Sequence, residues 1–108
     1  MLPAVYRLPK DQIRRAFHDG RRIFSPPFLG YVLDAQTATP RFAIIIGKRY
    51  VKLASKRNRI KRLIRHGLIS LLSDIKKPID GVIVLQATPK EINQSIVNEL
   101  LKQLLHRV

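Results

Sequence analysis

Two spacings of apolar residues divide this chain into helical and extended stretches. A spacing of three and four residues places Ile13, Ala16 and Phe17 on one side of a first helix, with Gly20 positioned to end it. Runs with alternating or continuous apolar character predict strands instead. The predicted elements are a helix over 9–18, strands over 21–25, 28–33 and 41–48, a helix from 57 to about 73, a strand over 82–86 and a last helix whose N-cap is residue 88.

Three details of the pattern make sharper predictions about the sheet and the last helix. Residues 41–48 are apolar on both faces of the predicted strand, which is typical of a central strand. Residues 34–40, rich in Thr and Ala, predict a hairpin loop between the second and third strands. Thr88, Pro89 and Glu91 have the spacing of a capping box, with Pro89 at the first helical position, which predicts that the last helix begins there.

The order of elements, α-β-β-β-α-β-α, predicts an α+β sandwich in which helices pack on a four-stranded sheet. The 108 residues, 45% of them hydrophobic, suit a single domain spanning 1–108. Cysteine is absent, and the sequence shows neither an apolar run of signal-peptide length nor the ~20 apolar residues of a membrane span. We therefore expect a soluble protein of the cytoplasm.

The net charge of +14 is concentrated in the middle of the chain. Residues 35–73 contain ten basic residues and no acidic one, whereas 1–34 contain six and three, and 74–108 contain five and four. Such an excess favours a polyanionic partner. Nucleic acid is the first candidate, and an anionic membrane surface is the competing one.

The second predicted helix carries this charge where it destabilises the helix itself. A helix start already bears partial positive charge from its unpaired amides, so acidic residues would be the stabilising choice there. Basic residues instead crowd its first turns, namely Lys56, Arg57, Arg59, Lys61 and Arg62. Arg57, Lys61 and Arg65 also stack along one face at a four-residue spacing, at which like charges repel. A solvated face would mix signs, so this cluster predicts a phosphate-binding surface.

The segment Lys56-Arg57-Asn58-Arg59-Ile60-Lys61-Arg62-Leu63-Ile64-Arg65 resembles the RNR signature of the bacterial ribonuclease P protein family. Residues 47–51 and the strand that holds Tyr31 also resemble this family, and the likeness extends from about Leu8 to Leu105. The resemblance implies a left-handed crossover through the basic helix, where the ordinary rule would give a right-handed one.

The resemblance also implies a function and its partners. In this family the RNA subunit uses Mg²⁺ to cleave the 5′ leader from precursor tRNA, and the protein binds both the ribonuclease P RNA and the leader. The protein subunit would be non-catalytic and hold no cofactor or metal of its own, and neither a membrane nor DNA is an expected partner.

Two sets of site residues follow from the resemblance. The RNA-binding set is Lys48, Arg49, Lys52, Lys56, Arg57, Asn58, Arg59, Lys61, Arg62 and Arg65. The leader-cleft set is Phe17, Tyr31 and Ile13, and Ile13 stands where many relatives carry a second aromatic residue. Leu53 also departs from the family, which usually has a polar or basic residue there. Basic grooves with aromatic rings suit single-stranded RNA, but Phe17 on an apolar helix face fits a core position equally well.

Catalytic chemistry in the protein itself is not indicated. His18, His66 and His106 lack a metal-binding spacing, and the acidic residues are scattered. Asp80 is assigned to a turn over 78–81, and Glu91 to the capping box.

Three other functions fit the charge pattern: a structural RNA-binding protein such as a ribosomal protein, a DNA-binding protein and a nuclease. A DNA-binding protein of this kind would need its basic residues along one helix edge that contacts the bases, whereas here they surround the helix start. A nuclease would need a metal site or an acid–base pair. Arg14 and Arg15, on the first helix, are assigned to a solvated face.

Overall fold

Three helices and four strands account for most of the molecule. The computed structural model describes residues 2–88 and 90–108. The helices are α1 (Lys10–Asp19), α2 (Ala54–Ser70) and α3 (Gln94–His106), and the strands are β1 (Arg21–Ser25), β2 (Phe28–Asp34), β3 (Arg41–Ile46) and β4 (Ile79–Leu85). Short 3₁₀ turns occupy Ala4–Tyr6 and Leu72–Asp74. The predicted α+β class and order of elements are confirmed.

The sheet has the strand order β1-β2-β4-β3, in which β3 and β4 are parallel and the other pairs are antiparallel. The prediction of a central β3 was therefore wrong, because β3 lies at an edge and the interior strands are β2 and β4. Residues 34–40 do not form a hairpin loop either, since β4 lies between β2 and β3. The edge strand is apolar on both faces because both are covered, and the Leu8 amide also donates to the Phe42 carbonyl oxygen at 3.0 Å.

The two faces of the sheet carry separate hydrophobic cores. On one face, α2 and α3 bury Ile60, Ile64 and Leu101 against the strands. On the other face, α1 and the segment before it bury Ala16 and Leu8 against Val82 of β4. The molecule is thus layered, with α2 and α3 on one side of the sheet and α1 on the other.

The β3–α2–β4 connection joins two parallel neighbouring strands, as a crossover through the basic helix requires. Its handedness stays a prediction. The first helix ends as expected, because the Gly20 amide donates to the Ala16 carbonyl oxygen at 2.8 Å. A Cβ atom at Gly20 would overlap that oxygen, which explains why glycine suits this position.

Both later helices begin at residues other than those predicted. The second helix starts three residues early, at Ala54, and the third starts at Gln94. Asn93 caps the third helix, since its side-chain oxygen accepts from the Ile96 amide at 2.9 Å. The prediction of a capping box was wrong. The Thr88 hydroxyl donates to the Tyr50 carbonyl oxygen at 2.7 Å, and Glu91 precedes the helix. Pro89 lies outside the described residues.

Gly67 sets the distance between α2 and α3, and replacing it by alanine should destabilise the protein. A Cβ atom there would lie 2.6 Å from the Asn98 side-chain oxygen and 2.7 Å from a Leu101 methyl carbon. We expect Gly67→Ala to lower the free energy of unfolding by about 1–3 kcal/mol, measured by urea denaturation. The control is Gly47→Ala, whose Cβ would meet its nearest neighbour, the Arg49 amide nitrogen, at 4.0 Å. Equal stability of the two variants would contradict this account.

Candidate nucleic-acid interface

The start of α2 leaves its backbone amides without a side-chain partner. The N-cap residue is Leu53, whose side chain cannot accept a hydrogen bond and which is 66% exposed. The first turn contains no acidic residue. The partial positive charge of the helix start is therefore directed at solvent, as in a helix terminus that binds anions.

Side-chain cations add to this positive charge. Lys56, Arg59 and Arg62 are exposed, and Asn58 lies exposed among them. The half-buried members of the predicted set are Arg57, Lys61 and Arg65. Within residues 2–88 and 90–108, the ion pairs to carboxylates lie elsewhere, and none involves a lysine or arginine of α2. A polyanion would meet this surface without having to displace a carboxylate of the described residues.

Two arginines of α2 also donate hydrogen bonds to backbone carbonyl oxygens in neighbouring segments of the protein. Arg57 donates to the carbonyl oxygens of Val51 and Lys52 at 2.9 and 2.8 Å. Arg59 makes a longer contact of 3.4 Å to the Ile92 carbonyl oxygen, next to the start of α3. The Arg57 bonds fix the loop before α2, and neither arginine has its charge compensated by a carboxylate of the described residues.

The loop over residues 47–53 presents three further cations. The Gly47 carbonyl oxygen accepts from two amides of the loop, and the buried Val51 anchors it to the core. Lys48, Arg49 and Lys52 are exposed, and the Arg49 guanidinium lies 5.6 Å from the ring centre of Tyr50. The ten predicted RNA-binding residues thus lie in one loop and in the helix that follows it directly.

The opposite face of the sheet, which carries α1, has side chains arranged in three rows across the strands. The register defines a top row of Phe24, Leu29, Val84 and Ile45, a middle row of Arg22, Tyr31, Val82 and Ala43, and a bottom row of Leu33, Asp80 and Arg41. Helix α1 packs on the middle and bottom rows, where Val82 and Asp80 are fully buried. In the top row Phe24 is 56% exposed and Leu29 is buried, while Val84 and Ile45 are half-buried.

The predicted leader-cleft residues meet where α1 lies against the middle row. The rings of Phe17 and Tyr31 are 4.7 Å apart and nearly perpendicular, at 78°. Phe17 is 43% exposed, so it is not a core residue, and Tyr31 is half-buried. Ile13 is half-buried in the same apolar cluster, and the Arg22 guanidinium lies 6.0 Å from the Tyr31 ring centre. The result is a partly exposed aromatic pair beside a cation.

Asp80 lies in β4, and its assignment to a turn was wrong. Its buried carboxylate accepts two hydrogen bonds from Arg41, at 2.9 and 2.8 Å, and one from Arg15 of α1 at 3.3 Å. The hydrogen bonds to Asp80 raise the pKa of Arg41 above its ordinary value. Arg15 is therefore not part of a solvated face, because it ties α1 to the sheet. Sequence reasoning missed this cluster because Asp80 and Arg41 are 39 residues apart.

A second group with a raised pKa lies at the end of α1, away from Asp80. At the end of α1, the hydrogen bond and negative charge of Asp19 raise the pKa of the exposed His18. Residues 2–88 and 90–108 contain no group of three or more His, Asp or Glu side chains close enough to hold a metal ion. Nor is any helix in that part of the chain long and apolar enough to cross a bilayer.

Comparison with known proteins assigns the family. The model of the Ribonuclease P family matches residues 2–108. The chain belongs to the ribonuclease P protein family. The ribonuclease P protein component of a Pseudanabaena strain is 31% identical over 107 residues, which cover 97% of this chain and 92% of the relative. That of Aliivibrio fischeri is 25% identical over 101 residues, covering 94% and 86%.

Solved structures of ribonuclease P proteins share the fold. The Staphylococcus aureus protein superposes with a TM-score of 0.83 at 22% identity, covering 94% of each chain. The Thermotoga maritima protein gives a TM-score of 0.81 at 22% identity, covering 94% of this chain and 96% of that one. At this level of identity the likeness concerns the fold alone.

Membership of the ribonuclease P family gives the chain its biological role. It is the protein subunit of a ribonucleoprotein endoribonuclease that matures the 5′ ends of tRNA, and its partner is ribonuclease P RNA. Catalysis in this family belongs to the RNA. The family resemblance and the predicted role as the protein subunit of ribonuclease P are confirmed.

Proposed function

We propose that the start of α2 and the loop before it are the surface that binds ribonuclease P RNA. The observation that supports this most is the uncapped helix start, where exposed cations have no carboxylate partner among the described residues. Phosphates would satisfy the free amides and neutralise the side chains together. The residues proposed are Lys48, Arg49, Lys52, Lys56, Arg57, Asn58, Arg59, Lys61, Arg62 and Arg65.

We also propose that the 5′ leader of precursor tRNA binds on the other face of the sheet, beside α1. Phe17 and Tyr31 form a partly exposed aromatic pair there, and Ile13 completes its apolar side. Stacking on aromatic rings holds single-stranded bases with little dependence on sequence, as leaders of many different tRNAs require. Arg22, beside the Tyr31 ring, supplies positive charge for the leader backbone.

These two sites imply different roles for the protein subunit and the RNA subunit. We infer that the RNA subunit binds the Mg²⁺ needed for cleavage and that the protein raises affinity for the leader-bearing substrate. Bringing cations close to two RNA strands lowers their mutual repulsion, so less Mg²⁺ is needed for assembly. We further propose that residues 1–108 act as one domain in the cytoplasm, where the RNA partner is made.

Reconstitution tests the proposal directly. The protein is combined with a bacterial ribonuclease P RNA at low Mg²⁺, and removal of the leader from precursor tRNA is measured. We expect the protein to restore cleavage that the RNA alone performs poorly under these conditions. A protein that binds the RNA but leaves cleavage unchanged at every Mg²⁺ concentration would contradict the proposed role.

Replacing Tyr31 by alanine should weaken binding of leader-bearing substrate selectively. Loss of one stacked base is expected to cost about 1–3 kcal/mol in binding free energy. The dissociation constants of the reconstituted holoenzyme for precursor and mature tRNA give the measurement, and Tyr31→Phe, which keeps the ring, is the control. Equal losses for both RNAs would show that Tyr31 has a structural role instead.

A further inference from the structure

Phe24 is a large aromatic residue exposed on a strand. The alternating burial of β1 directs Ile23 and Ser25 toward the α2–α3 core, so Phe24 lies on the opposite face. It is 56% exposed, although Leu29, directly opposite on β2, is only 5% exposed. An exposed phenylalanine contributes little to the core, and its position at the edge of the sheet leaves one side of the ring available to a partner.

The position of Phe24 continues the aromatic pair proposed for leader binding. Arg22 is directly opposite Tyr31 in the register, and Phe24 is opposite Leu29, so Phe24 and Tyr31 are diagonal neighbours on one face. Diagonal neighbours lie about 7–8 Å apart, within reach of aromatic side chains. Phe17 and Tyr31 are in contact, and Phe24 occupies the next diagonal position toward the edge of the sheet.

The charges around Phe24 suit an anionic partner. Arg22, two residues away on the same face, is exposed, and Arg107 at the end of α3 donates to the Phe24 carbonyl oxygen at 2.7 Å. On this face Asp80 is the acidic residue of the three rows, and it is buried and bonded to two arginines. A surface with one exposed ring and flanking guanidinium groups matches a nucleobase and its phosphates better than it matches an apolar peptide or a second copy of this chain.

We propose that Phe24 is an additional stacking position for single-stranded RNA, which binds a leader base adjacent to those held at Phe17 and Tyr31. This inference rests on the proposed leader site and extends it to the β1 edge, with Arg22 and Arg107 as the phosphate-facing cations. Phe24 also supplies a second exposed ring in a protein whose α1 carries Ile13 at the position where many relatives have an aromatic residue.

The experiment measures how affinity depends on leader length. Holoenzymes reconstituted with wild-type protein, Phe24→Leu or Tyr31→Ala are titrated with tRNAs whose leaders grow one nucleotide at a time. Leucine keeps an apolar side chain but removes the flat ring, and Phe24→Tyr restores it. We expect Phe24→Leu to weaken binding about five- to tenfold, but only for leaders long enough to reach β1. Ile69→Ala, which trims exposed apolar surface on α2, is the matched control.

Abasic nucleotides identify the stacked base. A single abasic substitution that weakens wild-type binding but has no further effect in Phe24→Leu marks the base that contacts this ring, and supports the inference. If Phe24→Leu binds every leader as wild type does while Tyr31→Ala is impaired, the inference about Phe24 is overturned and the proposed leader site stands. If neither variant changes leader binding, both are overturned. Equal weakening for mature tRNA would place Phe24 on another RNA surface and also overturn the inference.

Discussion

Replacing Asp80 by alanine should lower the free energy of unfolding by about 3–5 kcal/mol. The carboxylate is fully buried and accepts three hydrogen bonds, two from Arg41 and one from Arg15. Without it, the Arg41 side chain, 13% exposed, would keep its charge with no partner in a largely dehydrated place. Since small domains are typically stable by about 5–15 kcal/mol, this one change would remove a large share of the total.

Urea unfolding followed by far-ultraviolet circular dichroism measures this effect, because the protein contains no tryptophan for fluorescence. Asp34→Ala is the control: its carboxylate pairs with Lys77 at 3.2 Å, but both side chains are more than 70% exposed. An exposed pair of this kind contributes about 0–1 kcal/mol. The account of Asp80 would be refuted if the two variants lost similar, small amounts of stability.

The double variant Arg59→Ala, Arg62→Ala should bind ribonuclease P RNA about 15–30-fold more weakly at ~0.15 M salt. Each lost phosphate contact removes about 0.7–0.9 from the slope of log affinity against log salt, so the slope should flatten by roughly 1.4–1.8. Arg59 and Arg62 are exposed near the start of α2, with no carboxylate within ion-pair distance in the described structure. Titration of the RNA at several salt concentrations gives both quantities.

The matched control removes the same charge elsewhere. Lys102 is exposed beside Leu71 at the far end of α2, and Lys76 is exposed six residues after that helix ends. The helix has 17 residues and is therefore about 25 Å long. The double variant Lys76→Ala, Lys102→Ala lowers the net charge equally, and we expect it to change the salt slope little. If the two double variants flatten the slope to the same extent, overall charge rather than the start of α2 governs binding.

Local patterns were enough to predict much of the fold and part of the site. Periodic apolar residues identified all three helices, and the RNR segment located the cationic surface because adjacent residues carry that signal. Phe17 and Tyr31 were named from family likeness, and the structure places their rings in contact. What the contact does stays a prediction.

Features that depend on distant partners could not be predicted in this way. The two apolar faces of β3 suggested a central strand, but helices on both sides produce the same pattern at an edge. Asp80 resembled a turn residue because its neighbours are Pro78 and Gly81, while its partners Arg41 and Arg15 lie 39 and 65 residues away. Phe24 was missed because only the register shows that it shares a face with Tyr31.

The error at the last helix has a local cause. Thr88 and Glu91 have the spacing of a capping box, and Asn93 was an equally good cap five residues later. The Thr88 hydroxyl instead donates to the Tyr50 carbonyl oxygen, which ties the segment before α3 to the basic loop. A competing tertiary bond decided between two caps that are equivalent in sequence.

The pleat of the sheet separates the two proposed RNA contacts. Successive side chains of each strand point to opposite faces, so no strand residue serves both the α2–α3 side and the α1 side. On the proposed assignment, one set of side chains binds the ribonuclease P RNA for long periods. A different set binds each precursor tRNA briefly. Residence time on one can then be lengthened without slowing turnover on the other.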